Sequence, residues 1–186
     1  MLAINLIFST GKSRSCLSHA CPAHKGLELV NSLLKNIPSL LTPDALHALA
    51  SMGHGDDVAI VDANFPAARV AQLGSALLVQ FAGATAPEVL KAVLQVLPLD
   101  GFVPDAAWTM QAVGNASAVP EPVAEFAVAL GQAGENPAIA LERFAFYAQA
   151  QAAFVILRTG EQRKYGNILL RKGVISCDVD EAGEGH

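Results

Sequence analysis

The sequence predicts a layered α/β domain, and three observations carry that expectation. Val58-Ala59-Ile60-Val61 is a short run that is apolar on both faces, as expected of a strand in a covered sheet, and Ala76 to Phe81 repeats the pattern. Between such runs lie segments with helical spacing and their own start signals, above all Thr85-Ala86-Pro87-Glu88. At 186 residues the chain suits one domain with a sizeable core.

The elements follow in order. Thr42-Pro43-Asp44 offers a hydroxyl cap, a proline at the first helical position and an acid in the first turn. Leu46, Leu49 and Ala50 then fall at helical spacing, and Gly53 is placed to end the helix in a left-handed conformation. Val58–Val61 is a strand, and Asp62-Ala63-Asn64-Phe65-Pro66 a polar turn at its far end. The capping box at Thr85 opens a helix that buries Val89, Leu90, Val93, Leu94 and Leu97. Pro98, Asp100-Gly101 and Pro104 break the chain into a loop. Trp108–Val113 reads as a strand before a Gly114-Asn115 turn, Glu121–Ala133 as a helix ended by Gly134, and Ile139–Leu141 as a short strand. Phe144, Tyr147, Gln151 and Phe154 fit a helix running into a strand at 154–157. Arg158-Thr159-Gly160-Glu161 is a polar turn and Ile168-Leu169-Leu170 the last strand.

The ends differ from this body. Residues 1–32 lack periodicity and are expected to be an irregular extension, with the folded unit spanning 33–175 and an acidic, glycine-rich tail at 176–186. Cys16, His19, Cys21 and His24 cluster in the extension, but their spacing matches no common zinc finger. Met1–Phe8 has no basic flank and no cleavage-like site, so a secretory signal is not expected. With all three cysteines outside 33–175, a disulfide framework is implausible and a cytoplasmic setting fits.

Composition excludes other classes. A net charge of −5 with no basic block and few aromatics argues against nucleic acid. The hydrophobic fraction of 52% and mean hydropathy of +0.38 suggest extra buried surface, in a covered sheet or between subunits. No apolar run approaches a membrane span, so no membrane partner is expected. There is no Walker A sequence, G-x-G-x-x-G, H-E-x-x-H or nucleophile elbow.

Acid–base chemistry on a small polar substrate remains. Glycines on both sides of His54 allow a turn to present an imidazole that titrates near neutrality. Asp62 sits where an apolar strand gives out, a common ligand position in α/β proteins; it could grip sugar-like hydroxyls, orient His54, or only begin an Asx-turn. Arg143, beside phenylalanines, could pack its stem or bind substrate oxygens. Tyr165 and Asn167 pair a phenol with an amide around a glycine. Asp56 and Asp57 read as turn or cap residues, and His47 as solvated surface.

Four segments, Met52-Gly53-His54-Gly55-Asp56, Asp62-Ala63-Asn64-Phe65-Pro66, Arg143-Phe144-Ala145-Phe146-Tyr147 and Gly160-Glu161 with Lys164-Tyr165-Gly166-Asn167-Ile168-Leu169-Leu170, together resemble the L-fucose mutarotase branch of the RbsD/FucU family. The match runs from about Leu33 to Ile175. The resemblance implies a three-layer α/β/α sandwich with a central mixed sheet. It implies an isomerase that needs no cofactor or metal and interconverts the anomers of L-fucose or a related aldose. It also implies homo-oligomers, often decameric rings, with active sites near subunit contacts. On this likeness His54 is the catalytic acid/base and Asp62, Arg143, Tyr165 and Asn167 bind substrate. Ala68 departs from the branch, which commonly carries histidine there. The alternatives are D-ribose pyranase-type pyranose/furanose exchange and a non-catalytic monosaccharide-binding module.

Overall fold

The structure, a computed structural model, describes residues 34–175. The expectations for residues 1–32, including the Cys16–His24 cluster, and for the 176–186 tail lie outside that range. Helix α1 (Pro43–Ser51) begins as its signature requires, with the Thr42 hydroxyl accepting from the Ala45 N–H at 3.2 Å. Strand β1 (Asp57–Val61) is buried on every residue. Then come α2 (Ala67–Gly74), β2 (Leu77–Phe81), α3 (Ala86–Leu94) and β3 (Ala107–Met110). The chain continues through α4 (Glu121–Gln132), β4 (Ile139–Leu141), α5 (Arg143–Ala152), β5 (Val155–Thr159) and β6 (Ile168–Arg171). At α3 the capping box forms in full, the Glu88 carboxylate accepting from the Thr85 N–H at 2.8 Å.

The six strands form one mixed sheet in the order β2-β5-β1-β6-β3-β4. β2, β5 and β1 are parallel, as are β3 and β4, while β6 runs antiparallel to both of its neighbours, β1 and β3. Five strands therefore point one way and β6 the other. Side-chain alternation divides the core in two. Val58, Ile60, Leu157 and Leu170 pack with Leu49 of α1, Leu90 of α3 and Phe126 of α4. Ala59, Val61, Ile156 and Leu169 pack with Val70 of α2 and Phe146 of α5. The result is a three-layer α/β/α sandwich. Each fully buried Leu, Ile or Phe stabilises it by roughly 1.5–3 kcal/mol in transfer terms. Among the described residues no helix is long and apolar enough to cross a membrane.

Several local expectations are corrected. Gly53 does not end α1 in a left-handed conformation; the helix leaves through extended Met52, and Gly55 is the left-handed residue, at φ +84°. β2 is an edge strand, half exposed, because only β5 pairs with it. Arg158 and Thr159 complete β5 instead of forming a turn, and β3 stops at Met110. Asp57 is the first residue of β1 and makes a two-point ion pair with Arg171, at 2.9 and 3.1 Å. Helix α2 was not anticipated. Its sequence, AARVAQLG, has only two large apolar residues, and its capping position is a proline without a side-chain hydrogen bond.

Candidate functional site

Because β6 alone is reversed, the C-terminal ends of β1, β3, β4 and β5 and the N-terminal end of β6 meet at one edge of the layers. Four of the five expected site residues sit there: Asp62 just after β1, Arg143 at the start of α5 just after β4, and Tyr165 and Asn167 just before β6. They line a cavity of about 490 Å³, together with Phe65, Tyr147 and Lys164 among others. That volume lies in the range of small-molecule sites.

Asp62 is the fixed point. It is 4% exposed, and Oδ1 accepts from the Asn64 and Phe65 N–H groups, both at 2.9 Å, so it does form the Asx-turn its sequence allows. Oδ2 accepts from Asn167 Nδ2 at 2.8 Å, while the Asp62 N–H donates to Asn167 Oδ1 at 2.9 Å. Burial pushes the Asp62 carboxyl above the usual carboxylate range, and these hydrogen bonds pull back against it. Neighbouring contacts hold the turn: Arg158 donates to the Ala63 carbonyl at 3.0 Å and Thr159 Oγ1 to that of Val61 at 2.8 Å.

Tyr165 occupies a left-handed conformation, φ 64°, uncommon for a bulky residue. Its hydroxyl accepts from the Val113 N–H at 3.1 Å, tying the segment before β6 to the loop after β3. The hydroxyl can still donate one hydrogen bond into the cavity. The segment is anchored from behind by buried Glu161, whose carboxylate accepts from Arg163 Nε at 2.9 Å and Nη2 at 2.8 Å, while Arg163 also reaches Glu125 of α4. Phe65 stacks on Tyr147 with ring centroids 5.0 Å apart, giving the cavity an aromatic wall. Arg143 lies with its guanidinium 4.8 Å from the centre of the Phe144 ring.

His54 lies elsewhere. Its turn precedes β1, at the opposite end of that strand from Asp62, and the five residues of β1 alone span roughly 16 Å. Asp62 therefore does not orient His54. Asp100 does: His54 Nε2 is 3.1 Å from Asp100 Oδ2, and the imidazole is half exposed. Asp100 is buried, and its carboxyl is held below the usual range first by the Phe102 N–H, which donates to Oδ1 at 3.0 Å, and then by His54. An ionised carboxylate only accepts, so in the neutral imidazole Nε2 carries the proton and Nδ1 presents its lone pair. The Phe102 ring stands edge-on to the imidazole at 5.8 Å. Asp100 was missed because its sequence setting, Pro98 to Pro104, reads simply as a loop, and it lies 46 residues from its partner. The Gly55 N–H, donating to the Lys172 carbonyl at 2.9 Å, closes the histidine turn onto the chain after β6. Among the described residues no group of three or more His, Cys, Asp or Glu could hold a metal ion.

A reversed strand near the centre of a mixed sheet, a carboxylate–amide pair in a cavity and a histidine–carboxylate pair define a small-molecule α/β domain. The chain belongs to the RbsD / FucU transport protein family, whose model matches residues 35–175. Among its relatives is the fucose mutarotase of Homo sapiens, 43% identical over 149 residues, covering 78% of this chain and 96% of that protein. The structure of the fucose mutarotase of Streptococcus pneumoniae in complex with L-fucose superimposes with a TM-score of 0.71 at 34% identity, covering 77% of this chain and all of that one. Bacillus subtilis RbsD, complexed with D-ribose, shares the fold at a TM-score of 0.57 and 20% identity, over 73% of this chain and 95% of that one.

Proposed function

We propose that this protein is a sugar mutarotase that interconverts the α- and β-anomers of L-fucose by general acid/base opening and reclosure of the ring. The observation that carries this reading is the buried Asp62–Asn167 pair at an open cavity. Such a pair has the fixed polar groups that orient a polyhydroxylated ring, and the Phe65 and Tyr147 rings offer it an apolar wall. Relatives whose names say fucose mutarotase supply the sugar.

The chemistry asks for little. A proton leaves the anomeric hydroxyl, another reaches the ring oxygen, and the bond between the anomeric carbon and the ring oxygen breaks to give the open-chain aldehyde. Rotation and the reverse transfers close the other anomer. A single positioned imidazole contributes about 10²–10⁴-fold to such a step. His54, with Asp100 holding Nε2 and Nδ1 free, is such a group.

His54 cannot reach the cavity of its own chain, so we assign it to the cavity of a second copy in a homo-oligomer. The surface supports this. Phe102, 75% exposed, stands beside His54, and Phe144, 68% exposed, stands at the cavity rim next to Arg143. Exposed aromatics at both sites are what an interface core buries. The decameric ring and the cytoplasmic setting belong to the same reading.

The test is exchange NMR between α- and β-anomer signals, and between pyranose and furanose signals, for L-fucose, D-ribose, D-galactose and L-rhamnose. Accelerated anomer exchange of L-fucose, lost in His54→Ala, is expected. Acceleration confined to pyranose/furanose exchange of D-ribose, or saturable binding with no acceleration, would overturn the reading.

A further inference from the structure

Phe102 is the most exposed aromatic side chain among the described residues, at 75%, and it stands beside the imidazole that would move the protons. One buried carboxylate fixes both. Asp100 Oδ1 accepts from the Phe102 N–H at 3.0 Å, and Oδ2 lies 3.1 Å from His54 Nε2. The two rings meet edge to face, their centroids 5.8 Å apart. Imidazole and phenyl are thus held against the same group, and a cavity that receives His54 from a second copy receives Phe102 with it. Burial between copies accounts for an apolar side chain here. It does not account for the place of that side chain beside the imidazole.

The reaction limits what the phenyl ring can face. His54 works at the anomeric hydroxyl or the ring oxygen, so the imidazole lies along the bond between the anomeric carbon and that oxygen. Three substituents border this edge of the sugar: the anomeric hydroxyl, the hydroxyl on the next carbon, and the exocyclic carbon on the far side of the ring oxygen. In L-fucose only the last is apolar, being a methyl group. Asp62, Arg143, Tyr165 and Asn167 line the cavity with polar groups suited to hydroxyls. A phenyl ring gains by covering a methyl and loses by stripping water from a hydroxyl it cannot bond. We infer that Phe102 of the second copy packs on the exocyclic methyl and makes the enzyme prefer sugars that carry a methyl there. This inference rests on the mutarotase reading and on the assignment of His54 to a second copy, and it adds a specificity-determining residue to them.

The test compares three sugars that share one pyranose configuration and differ only at the exocyclic position: D-arabinose with hydrogen, L-fucose with methyl and L-galactose with hydroxymethyl. Anomer exchange is measured by NMR on the intact protein, wild type and Phe102→Ala, each sugar corrected for its uncatalysed rate. In the wild type, kcat/KM for L-fucose is expected to exceed that of either other sugar by about tenfold, the low end for one such group in an apolar pocket. In Phe102→Ala both ratios should fall to within about threefold of unity. Weaker assembly or a displaced imidazole slows all three sugars alike and cancels in the ratios, so a role confined to the contact between copies would not move them. Ratios that survive Phe102→Ala would give the methyl to the cavity's own apolar side chains, such as Met110 and Val113, and overturn the inference while the mutarotase reading stands. Ratios near unity in the wild type also overturn it. If Phe102→Ala does not assemble, Phe102→Leu keeps an apolar side chain at the contact, and saturation-transfer NMR decides. The L-fucose methyl signal should lose the saturation it takes from aromatic protons in the wild type, while the sugar's ring protons keep theirs from Phe65 and Tyr147. An unchanged methyl signal overturns the inference. Acceleration of no sugar overturns the mutarotase reading as well.

Discussion

Asp62 and Asn167, 105 residues apart in the chain, hold each other by two hydrogen bonds, backbone N–H to amide oxygen and amide nitrogen to carboxylate. The pair joins the end of β1 to the start of β6, so the residue that would grip the sugar and the pairing of two central strands depend on the same contacts.

Replacing Asn167 by Ala leaves the buried Asp62 Oδ2 and N–H without those partners. At about 1–3 kcal/mol for each unsatisfied group, Asn167→Ala is expected to lose roughly 2–6 kcal/mol of stability. Urea unfolding measures the loss, and L-fucose binding should weaken with it.

Asp100→Asn keeps the shape of the histidine's partner and removes its charge. The amide can donate to Nε2, which shifts the proton to Nδ1 and takes away the free lone pair. Anomer exchange is expected to fall by about tenfold or more, short of the 10² or greater loss in His54→Ala. An unchanged rate in Asp100→Asn would separate Asp100 from the chemistry.

The placement of His54 and Asp62 at opposite ends of β1 makes a mixing experiment decisive. His54→Ala and Asp62→Ala should each be inactive alone. Dissociated, mixed and reassembled, they should regain activity, because a mixed contact joins an intact histidine to an intact cavity. No recovery, with mixed assemblies detected by mass spectrometry, would sink the shared site.

Much of this was written locally. Thr42-Pro43, the Thr85–Glu88 box and the Ile139–Leu141 strand are short-range signals that the packed molecule keeps. The grouping of Asp62, Arg143, Tyr165 and Asn167 was legible only through likeness to a family, since its basis is the reversal of β6. The His54–Asp100 pair was invisible because loop residues that meet across the sheet end carry no periodicity. Helix α2 escaped for a different reason. It is only eight residues long, starts without a side-chain cap and packs close to α5 largely through small residues, so it carries few large apolar residues to betray it.

That close packing gives a further prediction. A Cβ at Gly74 would fall 1.6 Å from the Gln151 carbonyl oxygen of α5. Gly74→Ala must push the two helices apart, and a loss of about 1–3 kcal/mol or more is expected by chemical denaturation.

Acid should expose the Arg163 cluster. Arg163, ahead of its other contacts, holds the Glu161 carboxyl below the ordinary value of 4.5. A depressed folded-state pKa stabilises above the unfolded value and is lost as pH falls through the folded one. The thermal midpoint of Arg163→Met should therefore lie below wild type at pH 7, and the gap should narrow toward pH 3. Asp62, raised by burial, has the opposite sign: its contribution is present below 3.8 and lost as pH rises through its folded value.

The reversed strand β6 is the last one made and lies between β1 and β3, near the middle of the sheet. A nascent chain emerging from the ribosome thus carries β3 and β4 with no bond to β1 until Ile168–Arg171 arrives. Until then, unpaired strand edges stay open to chaperones and to neighbouring chains. Synthesis that stops before Ile168 leaves a split sheet rather than a shortened enzyme.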